Sequence, residues 1–207
     1  MYVGPVRDRN LYSRLVVVAA QTVESRPVRF MTWFALAVVV ATSTAYALLI
    51  RAQGGYGGLD VLTVPFVTGY MLLMGVLLAA SLQRGLPANV RMPLRAAAAG
   101  GLLVLGILAL FSVGLPLVVA GAMATGATVR TLRGPHLTSA ALTAVVGAVL
   151  AVALLVAGFE ATERYIVCPA QGTYGGGGPG FVTGPYHYDC VDGRLTFQSG
   201  ACNGPGC

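Results

Sequence analysis

Charged side chains are scarce in this chain. Only 10% of its 207 residues are Asp, Glu, Lys or Arg, and 56% are hydrophobic, whereas a soluble domain carries about 25% charged residues. This composition excludes an ordinary soluble domain and is typical of a membrane protein. Lysine is absent, so all 13 basic residues are arginine. Together with the abundance of Ala, Gly and Val, this absence indicates a GC-rich bacterial genome.

Ionisable groups are also missing from the interiors of the long apolar runs. Such groups mark proton relays and ion pathways in membranes, so a proton-coupled pump acting alone is not expected. An enzyme needs an acid, a base or a nucleophile positioned together. The candidates beyond the last run are few and scattered: Glu160, Glu163, His187 and Asp189. We therefore expect no enzyme activity, no catalytic residue and no cofactor.

Three apolar runs are long enough to cross a membrane, which takes about 20 residues. The first, 29–51, is bracketed by Arg29 and Arg51, and the others are 61–84 and 136–159. No secretory signal peptide is evident, because the first run begins too far into the chain and is too long.

A further stretch, 96–129, has 34 residues without one charge. A single helix of that length would be about 51 Å long, well beyond a hydrocarbon core of about 30 Å. The run contains Gly114-Leu115-Pro116; glycine and proline interrupt a helix, and proline suits the first turn of the next one. We expect two helices, at about 95–112 and 115–130, joined by a tight turn. One long kinked helix is the alternative.

The arginines and cysteines together predict the topology. With the N-terminus inside, as the positive-inside rule favours, ten of the 13 arginines are inside in both a five-span and a four-span arrangement. The cysteines decide between the two, because all four follow the last run and disulfides persist outside the cytoplasm. We expect an all-α bundle of five, alternatively four, transmembrane helices in a bacterial inner membrane. The N-terminus is then cytoplasmic and the C-terminus extracytoplasmic.

This topology divides the chain into three regions. Residues 1–28 form a basic cytoplasmic arm or interfacial segment, 29–159 form the helical bundle, and 160–207 form a Gly- and Cys-rich outer tail. Small residues recur at four-residue spacing in the last three spans, which favours close helix packing there. That packing would leave the bulkier faces of the first two spans for lipid or a partner.

The tail carries the signal of a β-hairpin. The β-prone runs 186–191 and 194–199 flank Asp192-Gly193, a pair suited to a type I′ turn. A lone hairpin is marginal in water, so disulfides are expected. The favoured pairs are Cys168–Cys190 and Cys202–Cys207, among three possible connectivities. The glycine-rich segment before the hairpin is interpreted as a slack thread.

The tail offers more aromatic side chains than so short a segment can bury. They form a small core at the membrane surface or a docking face for another protein, and the second interpretation nominates four of them as partner-binding residues: Phe181, Tyr186, Tyr188 and Phe197. A metal site is not expected, because His187 and the cysteines lack the paired spacing of zinc ligands.

The layout of the chain has three parts: the arm RDRNLYSR, the Ala-, Val- and Gly-rich runs, and the tail ending in CNGPGC. This layout resembles the small accessory membrane subunit associated with Mce-type lipid importers. The resemblance implies a role in assembling or regulating lipid uptake across the cell envelope, and it transfers no functional residue. The expected function is a non-catalytic subunit that docks on a larger membrane complex within the bilayer, without nucleic acid as a partner. A small oligomeric channel or transporter is the alternative.

Overall fold

The computed structural model describes residues 25–52, 62–131, 137–168, 170–178, 180 and 182–200. These residues are mostly helical, with five long apolar helices and a small C-terminal sheet. Each of the five is long and apolar enough to cross a membrane. The helices are α1 (Arg26–Ala52), α2 (Thr63–Ser81), α3 (Ala88–Leu108), α4 (Leu115–Thr131) and α5 (Leu137–Glu163). The strands are β1 (Thr173–Gly178), β2 (Tyr186–Val191) and β3 (Arg194–Ser199).

The uncharged run 96–129 forms two helices and not one, as its glycine and proline predict. A π-helical turn, Leu110–Gly114, separates α3 from α4. Gly114 donates its backbone N–H to the carbonyl oxygen of Ala109 over 2.8 Å. A Cβ at Gly114 would collide with the backbone oxygens of Gly106 and Ala109, so only glycine fits this crossing of α3 and α4.

Helix α3 begins earlier than its predicted start at residue 95. Pro87 has an extended backbone and caps the helix, which starts at Ala88 and continues through Pro93. As a consequence, Arg91 and Arg95 belong to α3 itself.

Small residues bring several neighbouring helices close together. Phe66 of α2 packs edge-on against Phe159 of α5 at 5.5 Å between ring centroids. Between α3 and α4, a Cβ at Gly121 would lie 2.7 Å from Cγ of Leu103. Between α3 and α5, a Cβ at Gly100 would lie 2.9 Å from Cβ of Ala148. The four-residue spacing of small side chains thus corresponds to real helix contacts.

Helix α3 is the centre of the bundle, and it packs against α2, α4 and α5. Half of the residues in the most apolar stretch of α3 are buried, whereas 17% of those in the corresponding stretch of α5 are buried. The core contains members from all five helices, chiefly Ala35, Val39, Tyr70, Met71, Met74, Leu78, Ala98, Ala99, Leu102, Leu105, Leu117, Ala120, Ala124, Ala151 and Leu155.

The tail forms a three-stranded antiparallel sheet in the order β1-β2-β3. The predicted hairpin is β2–β3, and its turn residues Asp192 and Gly193 both have positive φ, 48° and 77°, as a type I′ turn requires. The third strand was missed. Glycines 175–178, interpreted as part of a slack thread, pair with β2 from Asp189 to Tyr186.

Candidate interaction surfaces

The tail sheet has two faces of different chemistry, because side chains alternate along each strand. Cross-strand pairing places the residues of one face together: Tyr174, Tyr186, Tyr188, Cys190, Leu195 and Phe197. We call this set the aromatic face. The opposite, polar face carries His187, Asp189, Arg194, Thr196 and Gln198. The sheet is therefore amphipathic.

The aromatic face is held together by ring packing over glycine. Tyr186 stacks on Phe197 at 5.7 Å and on Tyr188 at 6.5 Å between ring centroids. A Cβ at Gly176 would lie 2.6 Å from the hydroxyl oxygen of Tyr188, and one at Gly178 would lie 2.8 Å from the ring of Tyr186. The tyrosine rings therefore cover the bare glycine backbone of β1, an arrangement that compensates glycine's weakness in strands.

A disulfide joins the tail to the end of the bundle. It links Cys168, just beyond α5, to Cys190 in β2, with 5.5 Å between the Cα atoms. This is the first of the two favoured pairs, and the Cys190 side chain is fully buried. The second favoured pair, Cys202–Cys207, lies outside the described residues.

Glu160 forms a second attachment that the sequence interpretation missed. Its carboxylate accepts a hydrogen bond from the backbone N–H of Val182 at 3.2 Å and another from the hydroxyl of Thr183. It also pairs with Arg164, the residue directly after α5, at 3.2 Å. A residue that appeared to be an isolated surface acid thus anchors the tail. The sequence indicated only that Glu160 and Arg164, four residues apart, could form an ion pair.

The structure brings together three of the four predicted partner-binding residues. Tyr186, Tyr188 and Phe197 share the aromatic face, and Phe181 lies outside the described residues. Tyr186 and Phe197 also line a cleft of about 30 Å³ with Glu160 and Arg164, which is room for about one water molecule. Part of the aromatic face therefore lies against the end of α5.

The outer part of the aromatic face remains accessible. Tyr174 is 48% exposed, and Leu195 and Phe197 are each 44% exposed. Two of the four acid–base candidates, His187 and Asp189, lie on the polar face. Nε2 of His187 lies 3.6 Å from Oδ1 of Asp189. Among the described residues, no group of three His, Cys, Asp or Glu side chains could hold a metal ion.

One charge lies inside the bundle, contrary to the sequence interpretation. Arg95 is 2% exposed, and its guanidinium donates hydrogen bonds to the hydroxyl and the carbonyl oxygen of Ser81, both at 3.2 Å. Ser81 ends α2, where the last carbonyls carry the negative end of the helix dipole. The buried cation thus joins the start of α3 to the end of α2.

The small-residue pattern predicted that uncovered apolar surface would lie on the first two helices. The structure shows that α5 carries such a surface as well. Helix α1 exposes Phe30, Trp33, Phe34 and Leu48, but α5 exposes just as many large side chains, including Leu142, Val145, Val149 and Leu150. An apolar groove of about 550 Å³ also follows α5 beneath Val182. The close α3–α5 contact uses one side of α5 only.

No protein-family model, no curated protein and no solved structure matches the chain.

Proposed function

We propose that this membrane protein is a non-catalytic accessory subunit of a larger complex in a bacterial inner membrane. The observation that carries the proposal is the tail: a sheet fixed to α5 by a disulfide and by Glu160, with half-exposed aromatic and leucine side chains on one face. Aromatic residues are favoured at the cores of protein interfaces. A rigid sheet of this kind is suited to binding another protein.

The proposed orientation has a cytoplasmic N-terminus and an extracytoplasmic tail. The alternating helices place most described arginines at the end where α1 begins, namely Arg26, Arg29, Arg84, Arg91, Arg95 and Arg130. Every Asp and Glu of the described residues follows residue 159. The distribution of the arginines supports the orientation by the positive-inside rule, and the disulfide in the tail supports it independently.

The complex we favour is an envelope lipid-transport assembly, on the basis of the layout that resembles the accessory subunit of Mce-type importers. In this proposal α1 and α5 contact the partner complex within the membrane, and the aromatic face contacts it outside the membrane. The protein itself carries out no chemistry and needs no cofactor.

Affinity purification in mild detergent tests the subunit proposal. A tagged full-length chain should retain a defined set of membrane proteins, and a Tyr174→Ala, Leu195→Ala, Phe197→Ala variant should retain several-fold less of them. The matched control, Thr196→Ala with Gln198→Ala, changes the polar face and should retain the full amount. Equal retention by both variants would exclude the aromatic face as the outer contact, and a chain that purifies alone would contradict the subunit role.

One observation favours the alternative, an oligomeric channel or transporter. The hydroxyl of Ser43 in α1 is buried and has no hydrogen-bond partner among the described residues, and Thr42 beside it is also buried. In an oligomer such groups could line a path for a polar substrate. Flux across liposomes that contain the purified protein alone, lost in a Ser43→Ala variant, would support this alternative over the subunit proposal.

A further inference from the structure

The turn between α3 and α4 exposes an unusual set of side chains. All the large ones are apolar, and Phe111 at the tip is completely exposed; the others are Ile107, Leu108, Leu110 and Leu115. Between Arg95 and Arg130 the sequence has no charged residue. A turn that met water would ordinarily be polar.

The few polar groups of this turn bond within it. The hydroxyl of Ser112 donates to the carbonyl oxygen of Ala109 at 3.1 Å. The backbone N–H groups of Ser112 and Gly114 donate to the same carbonyl at 2.9 and 2.8 Å, and Pro116 has no N–H to satisfy. Internal bonding of the backbone is what a hydrocarbon environment demands.

The hairpin is also short. From Arg130 to Phe111 at the tip, 19 residues rise at most about 29 Å at 1.5 Å per residue, which is no more than the hydrocarbon core of about 30 Å. Helix α5, with 27 residues, is about 40 Å long by the same rise. If Arg130 lies at the cytoplasmic headgroups, the tip of the hairpin ends below the opposite surface.

From these observations we propose that the α3–α4 turn lies within the outer leaflet and that lipid acyl chains cover Phe111 and its neighbours. A protein interface would have a polar rim around its apolar centre, whereas Ser112, whose hydroxyl is bonded within the turn, is the single polar side chain between Ile107 and Leu115. The proposal rests on the membrane insertion and orientation proposed above. It implies that outer contacts with other proteins come from the tail and not from this hairpin.

Tryptophan fluorescence in vesicles tests the proposal on the full-length chain. In a Trp33→Phe background, which removes the single native tryptophan, one tryptophan is placed at Phe111 or, as a second position, at Leu115. Leu150→Trp on the exposed side of α5 is the reference for lipid, and Thr196→Trp on the polar face is the reference for water. The vesicles contain phosphatidylcholine with or without bromine on its acyl chains, and iodide is the aqueous quencher.

We expect brominated lipid to quench Phe111→Trp and Leu115→Trp about as strongly as Leu150→Trp, and iodide to quench them several-fold less than Thr196→Trp. Iodide quenching equal to that of Thr196→Trp would overturn the proposal. Resistance to both quenchers would also overturn it, because a protein contact would then cover the tip. If brominated lipid failed to quench Leu150→Trp, membrane insertion itself would be wrong, and the inference would fail with it.

Discussion

The helical bundle and the tail of this protein are stabilised in different ways. In the bundle, small residues let backbones approach, and most hydroxyls bond to their own helix, as Thr32, Thr68 and Thr128 do. In the tail, a disulfide, a carboxylate anchor and stacked rings connect segments distant in sequence. The proposed membrane topology accounts for the difference. Helices in lipid gain from close van der Waals packing, whereas a small sheet in water cannot bury enough surface to be stable alone.

Loss of the disulfide should have the largest effect, and it should be confined to the tail. A Cys168→Ser, Cys190→Ser double variant opens a link across 22 positions of sequence, and disulfides typically contribute about 2–4 kcal/mol. We expect rapid proteolysis within the sheet, while the helical circular dichroism signal stays unchanged. A tail that stays as protected as in the unaltered protein would show that the aromatic packing suffices.

Adding one methyl group at the α3–α5 crossing should destabilise the bundle and spare the tail. A Cβ at Gly147 would lie 2.7 Å from the carbonyl oxygen of Pro93, so in Gly147→Ala the two helices must separate, at a cost of roughly 1–3 kcal/mol. The measurement is thermal unfolding in detergent. The control is Gly69→Ala, since nothing lies within 4 Å of that position. Equal midpoints for the two variants would contradict the close packing described here.

A cross-helix hydrogen bond should matter more than one within a helix. The Tyr70 hydroxyl donates to the carbonyl oxygen of Ala151 at 2.8 Å, and such bonds in membranes average about 0.6 kcal/mol with a maximum near 1.7 kcal/mol. Tyr70→Phe should therefore lower the unfolding midpoint in detergent by a small, reproducible amount. Thr68→Val removes only a bond to Val64 of the same helix and should lower the midpoint less. The reverse order would indicate that hydroxyl–backbone bonds within helices hold the bundle.

Neutralising the carboxylate anchor should have the smallest effect. Glu160→Gln keeps an acceptor but loses the ion pair with Arg164, and a partly exposed pair four residues apart contributes about 0.3–0.5 kcal/mol. Hydrogen exchange at the amide of Val182 should become faster, whereas the Asp189→Asn control should leave it unchanged. Unaltered exchange in Glu160→Gln would show that the disulfide alone positions the tail.

The features that follow from local sequence were predictable, and those that depend on distant partners were not. Asp192-Gly193 favours its own turn, and Gly114 with Pro116 marks the break in the uncharged run. Strand β1 was not predictable, because its glycines are stabilised by the rings of Tyr186 and Tyr188, which come later in the chain. The burial of Arg95 was not predictable, because the helix starts at Ala88 and not near residue 95, and because its partner Ser81 belongs to another helix. The role of Glu160 was not predictable either, because it depends on the tail folding back so that Val182 contacts its carboxylate.

The two attachments of the tail have a mechanical consequence. One link alone would act as a hinge, about which the sheet could swing. Here Cys190 is tied to Cys168 while Val182 and Thr183 are tied to Glu160, and two separate points of attachment restrict the orientation of the sheet at the end of α5. In the proposed topology, a tilt of α5 in the bilayer would then displace the whole sheet, so that a molecule bound to the aromatic face would move with the helix.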